Sequence, residues 1–237
     1  MNRESNTYTF IFAIGMVVIV AFLLAFAATS LKPKQSENVR KEKMQNILKS
    51  IGIDVEREAA EGKYKDYIKE ELSLVADGSV DESSDAFDVD LNKELKLPVD
   101  EQHFPLYVAD VEGEKYYIVP LRGAGLWNAI WGYVSLKDDL NTIVGVTFDH
   151  AGETPGLGAE ITQPWFQAQF EGKKIFDESD ELVGVRVSKS SGAKGENEVD
   201  AISGATITGN GVTAMIKERL SHYLPYFKKQ KTQLALN

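Results

Sequence analysis

The run Asp200-Ala201-Ile202-Ser203-Gly204-Ala205-Thr206 sets a hydroxyl nucleophile among the smallest side chains available, where a strand-like stretch gives way to a helical one. That combination suits a phosphate. Gly204 and Ala205 let backbone N–H groups come close to oxyanions, and the positive end of the following helix favours negative charge. The same residues also read as an ordinary turn in which Thr206 or Thr208 caps the helix.

Two further stretches have the composition of a ligand site. His150-Ala151-Gly152-Glu153-Thr154-Pro155-Gly156-Leu157-Gly158-Ala159-Glu160 directly follows a predicted strand and packs three glycines and a proline into seven residues. A loop so constrained offers backbone N–H and C=O groups to a planar heterocycle, with Leu157 as an apolar face beneath it. A purely structural turn is the competing reading. The spacing is wrong for a dinucleotide-binding fingerprint, and no βαβ unit surrounds it. In Gly123-Ala124-Gly125-Leu126-Trp127-Asn128-Ala129-Ile130-Trp131-Gly132, small residues flank two tryptophans. Trp127, ahead of the strand, is the candidate for covering an aromatic ligand, with Leu126 beside it; Trp131, on the strand, reads as core.

These segments need elements to hold them. Lys115–Leu121, Ile130–Leu136, Thr142–Phe148 and Leu182–Ser188 are rich in β-branched and aromatic residues and read as strands. Trp165–Phe170 reads as a short helix. Val212, Met215, Ile216, Leu220 and Tyr223 share one face of a longer helix ending near Tyr226. Strands with segregated helices give an α+β domain over residues 53–237, with a ligand-binding core at about 115–226. Residues 76–90 carry six acidic side chains and no basic one, and read as a mobile, solvated loop without metal-ligand spacing.

Ahead of this domain, the nineteen residues Phe10–Ala28 contain no charge. A helix of that length nearly matches the ~30 Å hydrocarbon core of a bilayer. A single transmembrane helix is expected over 10–31 after a tail at 1–9. The apolar run exceeds a signal-peptide core, although Ala25-Phe26-Ala27 has the small-x-small form of a cleavage site. Pro33 marks the exit, and an amphipathic helix over 32–52 follows. Its stripe Met44, Ile47, Leu48 and Ile51 lies either on the domain or on lipid headgroups, and Gly52 ends it.

The net charge of −10 gives nucleic-acid binding no support, and the absence of cysteine removes thiolate metal sites and iron–sulfur clusters. Any redox role needs a borrowed cofactor. His103 and His222 are isolated, His150 adjoins the glycine loop, and no hydrolase triad or metal cluster emerges.

Taken in order along the chain, the Gly-Leu-Trp strand entry, the Glu-Thr-Pro-Gly-Leu-Gly loop and the Asp-x-x-Ser-Gly-Ala-Thr run resemble the C subunit of the sodium-translocating NADH:quinone oxidoreductases. The segments Leu31-Lys32-Pro33-Lys34-Gln35-Ser36-Glu37-Asn38 and Gln45-Asn46-Ile47-Leu48 extend the likeness. The G subunit of Rnf-type ferredoxin:NAD complexes shares the loop and the last motif and is the alternative; a non-redox anchored binding module is a third reading. The resemblance implies a covalent FMN joined through its phosphate to Thr206 by a flavin transferase that reads Asp200, Ser203, Gly204, Ala205 and Thr206. It further implies cofactor contacts from Leu126, Trp127, Glu153, Thr154, Gly156, Leu157, Gly158, Ser203, Gly204, Ala205 and Thr208. The protein would relay electrons within a multi-subunit complex of the bacterial inner membrane, its flavin domain on the outer face. The charge count points the other way: six basic residues against two acidic ones between Lys32 and Lys49, with only Arg3 and the amino terminus positive before the span.

Overall fold

The computed structural model describes residues 5–189 and 194–236. Arg3, used in the charge count, lies outside them. The chain divides into two compact units, one ending at Lys43 and the other beginning at Met44.

The first unit is helical. Helix α1, Asn6–Ser50, contains Pro33 in its interior, so the sequence reading that ended one helix and began another there is corrected. Proline removes a single backbone bond, and the residues on either side of it favour helix strongly enough to carry the turn through. This helix is long and apolar enough to cross a membrane.

In the second unit the last turns of α1 bury Met44, Ile47 and Leu48, so the stripe packs on the domain. Gly52, with φ of +82°, turns the chain away. Helix α2, Ala60–Tyr67, leads into a five-stranded antiparallel sheet in the order β1 to β5: Ile68–Leu74, Phe104–Val111, Glu114–Ala124, Ala129–Lys137 and Ile143–His150. Period-two alternation divides β2, β3 and β4 between two cores, whereas β5 contributes to the larger one. Tyr117, Val119 and Leu121 of β3 enter the larger cluster, and Ile118 enters the smaller one with Met44, Ile47, Leu48, Tyr107 and Tyr133. A buried bond between Ser50 and Ser135 hydroxyls, 2.6 Å, ties the end of α1 to β4.

The chain then makes helix α3, Leu91–Glu94, in the β1–β2 connection, and helix α4, Pro164–Gln167, after β5. A separate two-stranded parallel sheet pairs β6, Arg186–Ser188, with β7, Glu198–Asp200. Helix α5, Thr206–Ser221, follows, and α6, Leu224–Leu236, ends the described chain. The mixed α+β class therefore holds.

Several local readings change. Strands β1 and β2 were not anticipated. Only Arg186–Ser188 of the expected Leu182–Ser188 strand pairs regularly, Leu182 making an isolated bridge to Phe176. The long C-terminal helix is two, because Pro225 lacks the N–H that a helix interior requires and instead occupies the first turn of α6. The acidic stretch is ordered rather than loose. Asp77, Asp81 and Asp85 accept from the backbone N–H of Ser79, Ser83 and Phe87, and Ala86 and Phe87 are buried.

Helix α5 lies on the β3 end of the larger core, burying Val212, Met215, Ile216 and Leu220. The approach is so close that a Cβ on Gly211 would run into the Ala124 carbonyl oxygen. Replacing glycine by alanine in an ordinary helix stabilises it by about 1 kcal/mol. Here Gly211→Ala is expected to destabilise the domain by about 1–3 kcal/mol, since the clash is with backbone. Urea unfolding of the full chain in detergent, followed by far-ultraviolet circular dichroism, measures it; a gain in stability would mean that α5 shifts freely.

Candidate functional site

The first turn of α5 carries the motif's last hydroxyl to the surface. Gly204 has φ of +77°, a conformation that suits glycine, and a Cβ there would lie 2.6 Å from Leu157 Cδ2. This residue reverses the chain after β7, so the helix starts at Thr206. Ala205 occupies the N-cap and gives no side-chain bond, and no threonine caps in its place. The first-turn N–H groups thus lack intrahelical partners, at a turn where Thr206 and Ile207 are exposed.

A cleft opens at this turn. Thr206 lines it together with Leu126, Leu157 and Ile207, and Glu153, Thr154, Gly158, Gly204, Ala205 and Thr208 complete the wall. Leu126, Leu157 and Ile207 are 45%, 40% and 57% exposed, an apolar surface left open by the described residues. The cleft is thus polar where the helix begins and apolar beside it.

Three segments meet here through one carboxylate. Glu153 is buried. Its Oε1 accepts from Trp127 N–H at 2.9 Å and its Oε2 from the Thr208 hydroxyl at 2.6 Å. Burial pushes its carboxyl pKa up. Bonds from the Thr208 hydroxyl and from the backbone N–H groups of Trp127, Asn128 and Leu126 outweigh that and hold it below the ordinary 4.5. The Glu153 N–H in turn donates to His150 Nδ1 at 3.1 Å, which closes the loop at its strand end. At its other end Gly156, with φ of +74°, donates to Glu160 Oε1 at 3.0 Å.

The structure gathers nine of the sequence-derived candidates into this cleft: Leu126, Glu153, Thr154, Leu157, Gly158, Gly204, Ala205, Thr206 and Thr208. Trp127 stands at its border, 69% exposed, its indole N–H donating to the Thr154 hydroxyl at 3.1 Å. Gly156 and Ser203 are exposed and outside the lining. Asp200 lies on β7, its N–H bonded to Gln169 Oε1 and its carboxylate 3.0 Å from Lys194 Nζ. Ile207 was missed because it follows the motif, and an apolar residue in a first helical turn carries no signal of its own. Trp131 is only partly buried and faces Arg122 at 5.9 Å, so it is not plain core. His103 lies between Asp81 and Glu94, and His222 stacks on Phe104, so both histidines have structural partners.

The pattern of the FMN-binding domain family matches residues 125–221, which contain the Trp127 turn, the glycine loop and α5. The C subunit of the Na(+)-translocating NADH-quinone reductase of Vibrio campbellii is 31% identical, with 89% of each chain covered. That of Haemophilus ducreyi is 30% identical over 100% of this chain and 98% of its own. The crystal structure of the corresponding C subunit from Parabacteroides distasonis superposes with a TM-score of 0.77 at 43% identity, covering 83% of this chain and 96% of that one. For Shewanella oneidensis NqrC the TM-score is 0.72 at 27% identity, covering 81% and 98%. Fold, cleft and near-full-length similarity agree: the chain belongs to the family of C subunits of the Na(+)-translocating NADH-quinone reductases and carries an FMN-binding domain.

Proposed function

We propose that this protein relays electrons through an FMN held in the α5 cleft by a phosphoester to Thr206. The observation that carries the reading is the state of the motif's hydroxyls. Thr208 is buried and its hydroxyl is committed to Glu153, and Ser203 lies outside the lining, whereas Thr206 is exposed and lines the cleft. The residues fit the group. Unpartnered first-turn N–H groups suit a phosphate, and Leu126, Leu157 and Ile207 suit an aromatic ring system.

In the attachment step the Thr206 hydroxyl oxygen attacks the flavin-side phosphorus of a flavin–nucleotide pyrophosphate. The anhydride P–O bond breaks, the nucleoside monophosphate leaves, and the hydroxyl proton passes to solvent. The cofactor supplies the one-electron chemistry that a chain without cysteine cannot supply from thiolate centres. The polypeptide's part is to hold the ring against Leu126, Trp127, Thr154 and Leu157, with Gly156 shaping the loop, and to keep the phosphate at the helix start. Asp200, Ser203, Gly204 and Ala205 form the surface that the transferase reads. Other subunits of the reductase supply and accept the electrons, and the domain stands on the outer face of the inner membrane, anchored by α1.

Three outcomes test this reading. After co-expression with a flavin transferase, the denatured wild-type band fluoresces under ultraviolet light, Thr206→Ser retains the signal and Thr206→Ala is dark. A bright Thr206→Ala band would rule out this hydroxyl. Protease added to right-side-out spheroplasts, stripped of the outer membrane, removes the domain; full protection would place it in the cytoplasm. Acid should also loosen the cleft. The Glu153 carboxyl titrates lower in the folded chain, so its stabilisation is complete above 4.5 and declines as pH falls below that value. The melting-temperature gap between wild type and Glu153→Gln should be constant above about pH 5 and should narrow towards pH 3.

A further inference from the structure

We infer that Glu153 is the positioning residue of the attachment step, a clasp that fixes the first turn of α5 so that the Thr206 hydroxyl is presented in one orientation. The inference rests on the assignment of Thr206 and goes beyond it by giving the carboxylate a task other than touching the cofactor. Both of its oxygens are already engaged by the protein, one by Trp127 N–H and one by the Thr208 hydroxyl.

The helix start explains why a clasp is needed. An uncapped N-terminus frays, and the usual remedy is a side-chain oxygen at the N-cap bonded to the first-turn amides. Ala205 provides none. A capping side chain would itself occupy the amides that a phosphate needs. The Glu153–Thr208 bond holds the same turn from its buried side and leaves the outer amides free. Thr208 is two residues from Thr206, so fixing one fixes the backbone of the other. A slip of one residue would turn the attachment oxygen by about 100° around the helix axis.

The clasp is also closely fitted. A Cβ on Gly158 would strike both Glu153 Oε2 and Thr208 Oγ1, so the loop backbone closes over the bond. The same carboxylate holds the Trp127 turn, and the Glu153 N–H is anchored on His150. One side chain therefore sets the relative position of all three segments that border the cleft.

The test is the rate of covalent labelling of the full chain in detergent, with purified flavin transferase and flavin adenine dinucleotide as donor. Circular dichroism at the assay temperature checks that each variant is folded. Glu153→Gln and Thr208→Val should each lower kcat for labelling at least about ten-fold while KM for the chain changes by less than about two-fold. Because the two residues act as a unit, the double variant should be no more than about two-fold slower than Glu153→Gln alone. Thr208→Ser, which keeps the hydroxyl, should recover most of the rate. In the unlabelled chain, amide exchange in the first turn of α5 should quicken in Glu153→Gln. Wild-type rates in both single variants would overturn the inference, as would effects that multiply in the double variant or that fall on KM. Labelled Thr206→Ala, or an unlabelled wild type with active transferase, would instead defeat the Thr206 assignment and take the clasp's role with it.

Discussion

The closeness of α5 to the end of β3 is the constraint on which the rest of the domain depends. A helix laid on a sheet usually keeps its distance through side chains on both surfaces. Here Gly211 has no side chain to interpose before the Ala124 carbonyl, and a Cβ on Gly123 would lie 2.7 Å from Met215 Cβ. The helix axis is thus fixed at the point where β3 turns into β4. That turn holds Leu126 and Trp127, so the helix start and the turn are neighbours by construction. The loop after β5 reaches both because β5 pairs with β4, placing His150 opposite Ile130.

Electrostatics complement this geometry. The chain is acidic overall, with a net charge of −10, yet the occupant proposed for the cleft carries a phosphate. The opposition is local and is resolved locally. The Glu153 carboxylate, the negative charge within the cleft wall, is met by hydrogen-bond donors at both oxygens. The first-turn N–H groups supply the positive potential on the open side.

The Asp200–Thr206 run stands out in the sequence because its pattern is local: hydroxyls, two small residues and an acid at fixed spacing within seven positions. Strands β3 to β5 were legible for a similar reason, since β-branched and aromatic residues dominate them. Strand β1 was not, because Ile68-Lys69-Glu70-Glu71-Leu72 at the edge of the sheet exposes its charged residues and lacks strand-like composition. In β2, Pro105 suppressed the reading, although it sits near the strand's start, where a missing donor is tolerated. The clasp was beyond any local reading. Glu153 and Thr208 are 55 positions apart and meet only because the sheet and α5 bring them together. The character of the acidic stretch was hidden for a subtler reason. Composition alone does not distinguish carboxylates facing solvent from carboxylates bonded two residues down the chain.

That stretch has a consequence for how such a domain can vary. Asp77, Asp81 and Asp85 recur every four residues, and each closes a small turn on its own following backbone. A segment assembled from such short local turns can vary in length at little cost in loop-closure entropy, which changes only slowly with the number of residues. Gly78 against the start of α6, Ala86 and Phe87 are buried points of attachment to the body of the domain, and Asp81 adds a bond to His103. The β1–β2 connection is therefore a natural place for members of one family to differ in length while the sheet beneath it stays the same.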